Sequence, residues 1–301
     1  MRHLQPLEYF NAIVAAGSIR KAAETLSITS TALNRRLLAI EEELGVDLFE
    51  RVPKGVQLSA AGEILLLHIR EQIADMARVK SQISDLKGER RGHVAIACSQ
   101  AILTSFLPVE ISKYRSQHPF VTFSVQVRDR AAAEEALLDR SADLALVFEP
   151  VQLADFQTLL AVKQSVWVLM PKDHPLAHKP ILRLRECLRF PVGLPTKQYG
   201  VRHILEASAR RISLNLAPVV ESDSFDYLRY QAAEEGIITF QIEIGLPLNL
   251  ESIGLVACKL DERDVPDGML YVGQLKGRTL PVAGAKFANQ ILAALAQRCD
   301  S

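Results

Sequence analysis

The sequence predicts an α/β chain of three parts in series: an N-terminal winged helix-turn-helix, a long linker helix, and a two-lobed α/β domain. Three observations lead there. Three short helical periodicities and a basic hairpin occupy the first sixty residues. Apolar residues then recur every three or four positions from about Ala60 to Lys87. From His93 onward, short apolar strands alternate with helices. At 301 residues the chain is long for one core and comfortable for two domains.

In the first part, Leu7, Phe10 and Val14 recur at helical spacing, and Gly17-Ser18 follows. Gly17 can close this helix and the Ser18 hydroxyl can cap the next, from Ile19 to Leu26. Ala22 and Ala23 are small enough to let two short helices cross closely. Ser27-Ile28 is the turn, and Thr29 or Ser30 caps a third helix reaching about Leu44, with Leu33, Leu37, Ile40 and Leu44 buried. The face opposite Leu33 and Leu37 carries Ser30, Thr31, Asn34 and Arg35. In a helix-turn-helix that face enters the major groove, where Asn pairs with adenine, Arg with guanine, and Ser or Thr with bases or phosphates. The same residues would equally suit a solvated helix face. Val46–Arg51 then reads as a strand, Pro53-Lys54-Gly55 as a turn, and Val56–Leu58 as a returning strand. Such a basic hairpin is a wing, with Arg51 and Lys54 along phosphates or in the minor groove.

The runs Ala15-Ala16-Gly17-Ser18, Lys21-Ala22-Ala23-Glu24, Glu41 through Arg51, and Leu58-Ser59-Ala60-Ala61-Gly62 resemble, in order and spacing, the N-terminal signature of the LysR-type transcriptional regulators. The resemblance covers about the first 65 residues. It departs from the family on the reading face, where Ser30-Thr31-Ala32-Leu33-Asn34-Arg35-Arg36 replaces the usual Gln-Pro-Ala-Leu-Ser-Arg-Gln, so base preference does not carry over. Residues 1–60 hold seven Lys/Arg against seven Asp/Glu, and the whole chain 35 against 35, which points to modest, salt-sensitive non-specific DNA binding. The resemblance implies several partners: double-stranded DNA at a two-fold related promoter site, a small-molecule effector, RNA polymerase, and self-association as a dimer or, as usual in the family, a homotetramer. It implies no cofactor and no enzymatic activity.

Ser59 can cap the linker helix, whose Ile69, Ile73, Met76, Val79, Ile83 and Leu86 form a seam that suits a two-helix coiled coil or packing on the same chain. Lys87 through Gly92 reads as a hinge. The expected division is therefore 1–58 for the winged helix-turn-helix, 59–92 for linker and hinge, and 93–301 for the effector domain. Within the last, residues 93–162 and 269–301 make one lobe and 163–268 the other.

The strands expected there are Val94–Cys98, Val121–Val127, Leu144–Phe148, Val166–Met170, Pro191–Gly193, Val219–Glu221, Ile237–Phe240 and Leu255–Lys259. Helices are expected at Leu103–Gln117, Ala131–Asp139, Val201–Arg211, Phe225–Glu235 and Val282–Arg298, the last returning to the first lobe. This alternation implies parallel or mixed sheets. Here too the chain is similar to the family, whose effector domain resembles periplasmic solute-binding proteins with a cleft between lobes. Ligands in such sheets sit at the carboxyl ends of strands beside helix N-termini. Ser99 and Gln100 follow the first strand, and Arg128 ends the second and could clamp a carboxylate. Thr196 and Lys197 lie in the strand-to-helix segment Leu194–Gly200, and Gln241 follows another strand. The resemblance matches Ser99, Gln100, Arg128 and the Thr196 segment to family effector positions. Phe148 also faces the expected cleft, although Glu149 beside it would oppose an anion. Together these residues suggest a small organic anion.

Composition narrows the alternatives. Hydrophobic residues are 49% and charged residues 23%, ordinary for a globular protein. No apolar run reaches the about 18 residues that span a bilayer, and the start lacks a signal-peptide core, so a cytoplasmic location is expected. Cys98, Cys187, Cys258 and Cys299 are far apart and form no C-x-x-C, which suits reduced, structural thiols. No H-E-x-x-H, G-x-S-x-G, P-loop or G-x-G-x-x-G occurs, and His174 and His178 are split by Pro175. The competing reading is a solute-binding-fold protein or enzyme with an N-terminal interaction module.

Overall fold

A computed structural model describes residues 5–53, 55–86, 91–152 and 154–299. The chain separates into two compact units, Met1–Ile83 and Ser84–Ser301, and each is described by itself.

In the first unit, α1 (Gln5–Ala16) ends at Gly17, whose φ of 59° is left-handed. The Ser18 hydroxyl accepts from Lys21 N–H at the start of α2 (Ile19–Thr25). Of the two expected caps for α3 (Ser30–Leu44), Thr29 is the one used: its hydroxyl accepts from Ala32 N–H at 3.2 Å, and Ser30 becomes the first helical residue. Ala22 and Ala23 are buried among Phe10, Ile13, Leu33 and Leu37, so the three helices close on small side chains. Strands β1 (Phe49–Val52) and β2 (Gly55–Leu58) form the antiparallel wing. The first strand starts three residues later than expected. Val46 N–H bonds to the Glu41 carbonyl, and Leu48 and Phe49 N–H donate to the Glu41 carboxylate at 2.7 and 3.3 Å, which folds this stretch against the end of α3.

Ser59 opens α4 (Ala60–Leu86). Its hydroxyl accepts from Gly62 N–H and donates to the Asp47 carbonyl. The expected seam divides. Ile69 is fully buried in the core of this unit and Ile73 packs on that core, while Val79 and Ile83 are exposed. Ile64 and Leu67 are also exposed, so the free apolar positions of α4 are not the single stripe expected. The Leu86 side chain and residues 87–90 of the expected hinge lie outside the described residues.

The second unit contains both lobes. One is a five-stranded sheet ordered β4-β3-β5-β13-β6, from β3 (Gly92–Cys98), β4 (Val121–Val127), β5 (Leu144–Phe148), β6 (Phe156–Gln164) and β13 (Gly268–Leu275). β3 runs parallel to β4 and β5, and β13 antiparallel to β5 and β6. Helices α5 (Leu107–Gln117), α6 (Arg130–Leu138) and α10 (Val282–Cys299) pack with these strands.

The other lobe has the sheet β11-β7-β12-β8, from β7 (Val166–Pro171), β8 (Ile181–Leu182), β11 (Thr239–Ile242) and β12 (Leu255–Leu260). The parallel pair β9 (Gly193–Pro195) and β10 (Val220–Ser222) approaches β11 through the bridge Val192 to Ile238. Helices α7 (Leu184–Cys187), α8 (Gly200–Arg211) and α9 (Phe225–Glu235) complete it. The chain passes between sheets at Ser165 and again through residues 261–267.

Two corrections concern what the strand pattern concealed. β6 and β13 were not expected, and they form the far edge of the first sheet. β13 carries Gly268 and Gly273, which read as breakers. At Gly273 a Cβ would come within 2.0 Å of the Phe156 ring, so here the glycine marks a close approach inside a strand. The helix expected from Leu103 begins at Leu107, and Gln100–Leu103 is a 3₁₀ turn.

Buried ion pairs hold the second unit. Asp143 accepts from Ala95 N–H and pairs with Arg278 at 2.6 Å. Asp264 takes the Arg183 guanidinium with both oxygens and also accepts from Leu184 N–H. The hydrogen bond from Arg183 is the main reason the Asp264 carboxyl sits below its ordinary range. A carboxyl depressed in the folded state adds stability above its unfolded pKa, and that stability is lost as pH falls through the folded value.

Two outcomes are expected. In acid titration of stability, Asp264→Asn will lose less than wild type once pH drops below the ordinary carboxylate range, and an unchanged profile would contradict this pairing. Separately, Gly62→Ala would bring a Cβ to 2.1 Å from the Leu48 carbonyl, which must force the backbone apart. Denaturant unfolding should show a loss of about 1–3 kcal/mol.

Candidate functional site

Two sites can be built from the residues upward. On α3, Ser30, Thr31 and Arg35 are exposed and Asn34 is half-buried, opposite the buried Leu33 and Leu37. Because Thr29 does the capping, the Ser30 hydroxyl is left on this face. The neighbouring Arg36 instead lies over the Tyr9 ring at 5.0 Å, a packing role the sequence did not suggest. Arg51 is exposed on β1 of the wing. Lys54, expected at the wing turn, lies outside the described residues. The face therefore presents hydroxyls, an amide and a guanidinium, the donor and acceptor types that read base edges.

The second site is the seam between the two lobes. Ser99, Phe148 and Gln241 line one pocket, together with Tyr199, Gly200 and Phe225. It holds about 10 Å³, roughly the space of one water, so a larger guest requires the lobes to part. Each wall has a local cause. Ser99 follows β3 directly and precedes the 3₁₀ turn. Gly200 starts α8 where a Cβ would come within 2.4 Å of the Phe148 carbonyl oxygen. Tyr199 precedes α8 without capping it, and its hydroxyl donates to the Asp223 carbonyl. The first N–H groups of α8 thus lack a side-chain cap. Gln241 is buried. Its Oε1 accepts from Ile242 N–H, and its Nε2 has no partner among the described residues. The pocket lining carries no charged side chain, and its polar side chains include the Ser99 hydroxyl and this amide donor.

Other expected residues stand elsewhere. Gln100 does not line the pocket. Its Oε1 accepts from Phe225 N–H at 2.5 Å, bridging the lobes at the start of α9. Arg128 is exposed, its guanidinium donating to Oε1 of the Gln126 side chain at 2.8 Å, and it is not among the pocket-lining residues. Lys197 is exposed and also outside the lining. Thr196 is half-buried and outside the lining, with a buried hydroxyl that has no partner among the described residues. The cations expected to hold an anion are therefore displaced, because their backbone positions end strands while their side chains turn to solvent. Of the expected strand-to-helix segment Leu194–Gly200, it is Tyr199 and Gly200 rather than Thr196 and Lys197 that line the pocket, and Phe225 was not expected there.

Charges near the seam are mostly negative. Burial chiefly raises the Tyr199 phenol, and the carboxylates of Asp223 and Asp129 raise it further. Burial lowers Arg130, against the opposing pull of Glu149, Glu134 and Asp129. Glu149 is used structurally: its carboxylate accepts from Met269 N–H at 2.7 Å. Cys98 and Cys187 are buried thiols that desolvation pushes up to about 12, and Cys258 is raised for the same reason. The Cys299 side chain lies outside the described residues. Among the described residues, no helix is long and apolar enough to cross a membrane.

Comparison with known proteins matches both parts of the chain to known domains. Residues 4–63 match the family described as bacterial regulatory helix-turn-helix protein, lysR family, and residues 87–296 match the LysR substrate binding domain. A probable nitrogen assimilation transcriptional activator from Synechococcus elongatus is 27% identical over 75% of this chain and 74% of its own length. The transcriptional activator CmpR from Synechocystis is 24% identical over 96% of this chain and 95% of its own. Among solved structures, a full-length OxyR from Pseudomonas aeruginosa superposes with a TM-score of 0.74 at 19% identity, covering 96% of this chain and 94% of that one. A full-length CbnR in complex with its target DNA gives 0.67 at 14% identity, covering 97% and 99%.

If Gln100 is the tie between lobes, Gln100→Leu leaves the buried Phe225 N–H without an acceptor. Thermal or denaturant unfolding should then show a loss of about 1–3 kcal/mol. Arg128→Ala, at an exposed position, should stay within about 0.5 kcal/mol of wild type. Equal effects of the two would remove the special place given to Gln100.

Proposed function

We propose a function for this chain from one premise: it belongs to the LysR family of DNA-binding transcriptional regulators. It is a regulator rather than an enzyme, with an N-terminal DNA-binding helix-turn-helix and an effector-binding α/β domain. Within that frame we assign base and phosphate contacts to Ser30, Thr31, Asn34 and Arg35 on α3, with Arg51 and Lys54 on phosphates beside the wing. The supporting observation is the exposed face of α3, where capping is handled by Thr29 and packing by Leu33, Leu37 and Arg36.

We assign the effector to the interlobe pocket, held by Ser99, Gln241 and the uncapped start of α8. The observation that carries this is the buried Gln241 Nε2, which has no partner among the described residues, since a buried donor left unpaired is unfavourable unless something accepts from it. That donor, with the Ser99 hydroxyl and the start of α8, suits a ligand with an acceptor group, a small organic anion held by N–H and O–H groups. We also propose a cytoplasmic regulator that self-associates through α4 as a dimer or homotetramer on two-fold related promoter sites and acts on RNA polymerase. The domain limits proposed are 1–58, 59–92 and 93–301. The effector acts by favouring one arrangement of the lobes, and its differential affinity sets how far DNA bending shifts.

The test is a footprint of the purified protein on fragmented DNA of its own source at near-physiological salt. Discrete two-fold sites are expected, lost in Arg35→Ala. Arg51→Ala should weaken binding to all sequences alike and reduce the salt slope by about 1. Diffuse binding unchanged by Arg35→Ala would overturn the assignment of the reading face.

A further inference from the structure

The polar face of α3 also holds a large apolar side chain. Two such side chains of this helix are well exposed, Leu38 at 54% and Leu44 at 50%. Leu44 continues the series Leu33, Leu37 and Ile40 at helical spacing, so it belongs to the core side at the end of the helix. Leu38 does not. Counted from Thr31, the residues Asn34, Arg35 and Leu38 stand at i+3, i+4 and i+7, which puts all four on one face.

A single exposed leucine is ordinary on a protein surface and makes no site by itself. Here its place assigns it. The helix-turn-helix belongs to a DNA-binding family, and the reading helix of that motif lies in the major groove. Donors and acceptors fill that groove, and the apolar group that base pairs present there is the C5 methyl of thymine. From Thr31 to Leu38 the helix advances about 10 Å, roughly three base-pair steps, so both residues can meet base edges of one half-site. Leu38 has no charge and no donor, so it cannot hold a phosphate or pair with a base. What it can do is bury a methyl group.

We propose that Leu38 is a specificity-determining residue, packed on the C5 methyl of one thymine in each half-site. The inference rests on the assignment of α3 as the reading helix and adds a base preference to it. Asn34 and Arg35 select by hydrogen-bond pattern, whereas Leu38 selects by shape and by the water it displaces. Cytosine at that position offers an amino group and no methyl, so the leucine would cover a donor and gain no apolar contact.

The experiment uses the full chain and synthetic duplexes carrying a site defined by footprinting, with affinity read by fluorescence anisotropy at one fixed salt. Each thymine is replaced in turn by deoxyuridine, which removes the methyl and keeps the hydrogen-bonding edge. For wild type, replacement of one thymine per half-site should weaken binding about three- to fivefold for each methyl lost. Leu38→Ala should weaken the thymine duplex by a similar factor and be indifferent to that replacement. Its salt slope should stay that of wild type, because no phosphate contact is lost. Alanine at this exposed position keeps the helix, and the scan on wild type needs no variant at all. The proposal is overturned if no thymine is felt by wild type and ignored by Leu38→Ala. It is equally overturned if Leu38→Ala leaves affinity unchanged and alters sedimentation, since Leu38 would then face another protein chain. If Arg35→Ala still abolishes the discrete sites in either case, the reading face stands and only the role of Leu38 falls. Wild type without discrete sites overturns both.

Discussion

The carboxamide of Gln100 reaches from the turn after β3 to the first N–H of α9, and much of the second unit is arranged around that crossing. A helix start is short of acceptors, so a buried one must find them outside its own chain segment. Here the other lobe supplies one. With Ser105 bonded to the Ile244 carbonyl a few residues on, the segment from 99 to 105 is fastened to the second lobe at two points. That fastening holds the interlobe pocket closed to about the space of one water.

The chemistry of the inner pocket follows from which groups the fold has already used. Carboxylates near it serve the backbone or neighbouring cations, as Glu149 does for Met269 N–H. The cations that strand order seemed to aim at the cleft turn outward. What remains inward is Ser99, the amide of Gln241 and the opening of α8, surrounded by aromatic rings. Such a lining selects by hydrogen-bond direction more than by net charge.

A comparable division of labour shapes the N-terminal unit. Thr29, Glu41 and Ser59 hold the helix starts and the wing with short polar bonds, so the residues on the free face of α3 carry no structural duty of that kind. Of the acidic run 41–43, Glu41 is consumed in fastening Leu48 and Phe49, and counting charges along the chain cannot register that.

The sequence by itself determined the local units. Helix spacing, the capping hydroxyls at Ser18, Thr29 and Ser59, and the glycines at 17 and 45 are short-range effects, and they place α1 to α3, the wing and the start of α4 within a few residues. The same is true of most strands in the α/β unit. Tertiary structure decided what depends on distant partners. Gly273 reads as a breaker until Phe156 is set against it, so β13 and β6 were invisible. Ile69 belongs to a linker seam by periodicity and to the N-terminal core by packing. Arg128 and Lys197 occupy suitable positions in the strand order, yet side-chain direction leaves them outside the pocket. Phe225 joins Tyr199 and Gly200 at the pocket, and the Gln241 amide is left there with an unused donor, only when chain segments far apart in sequence meet, because burial and unpaired hydrogen-bonding groups are properties of the packed molecule and have no signature along the chain.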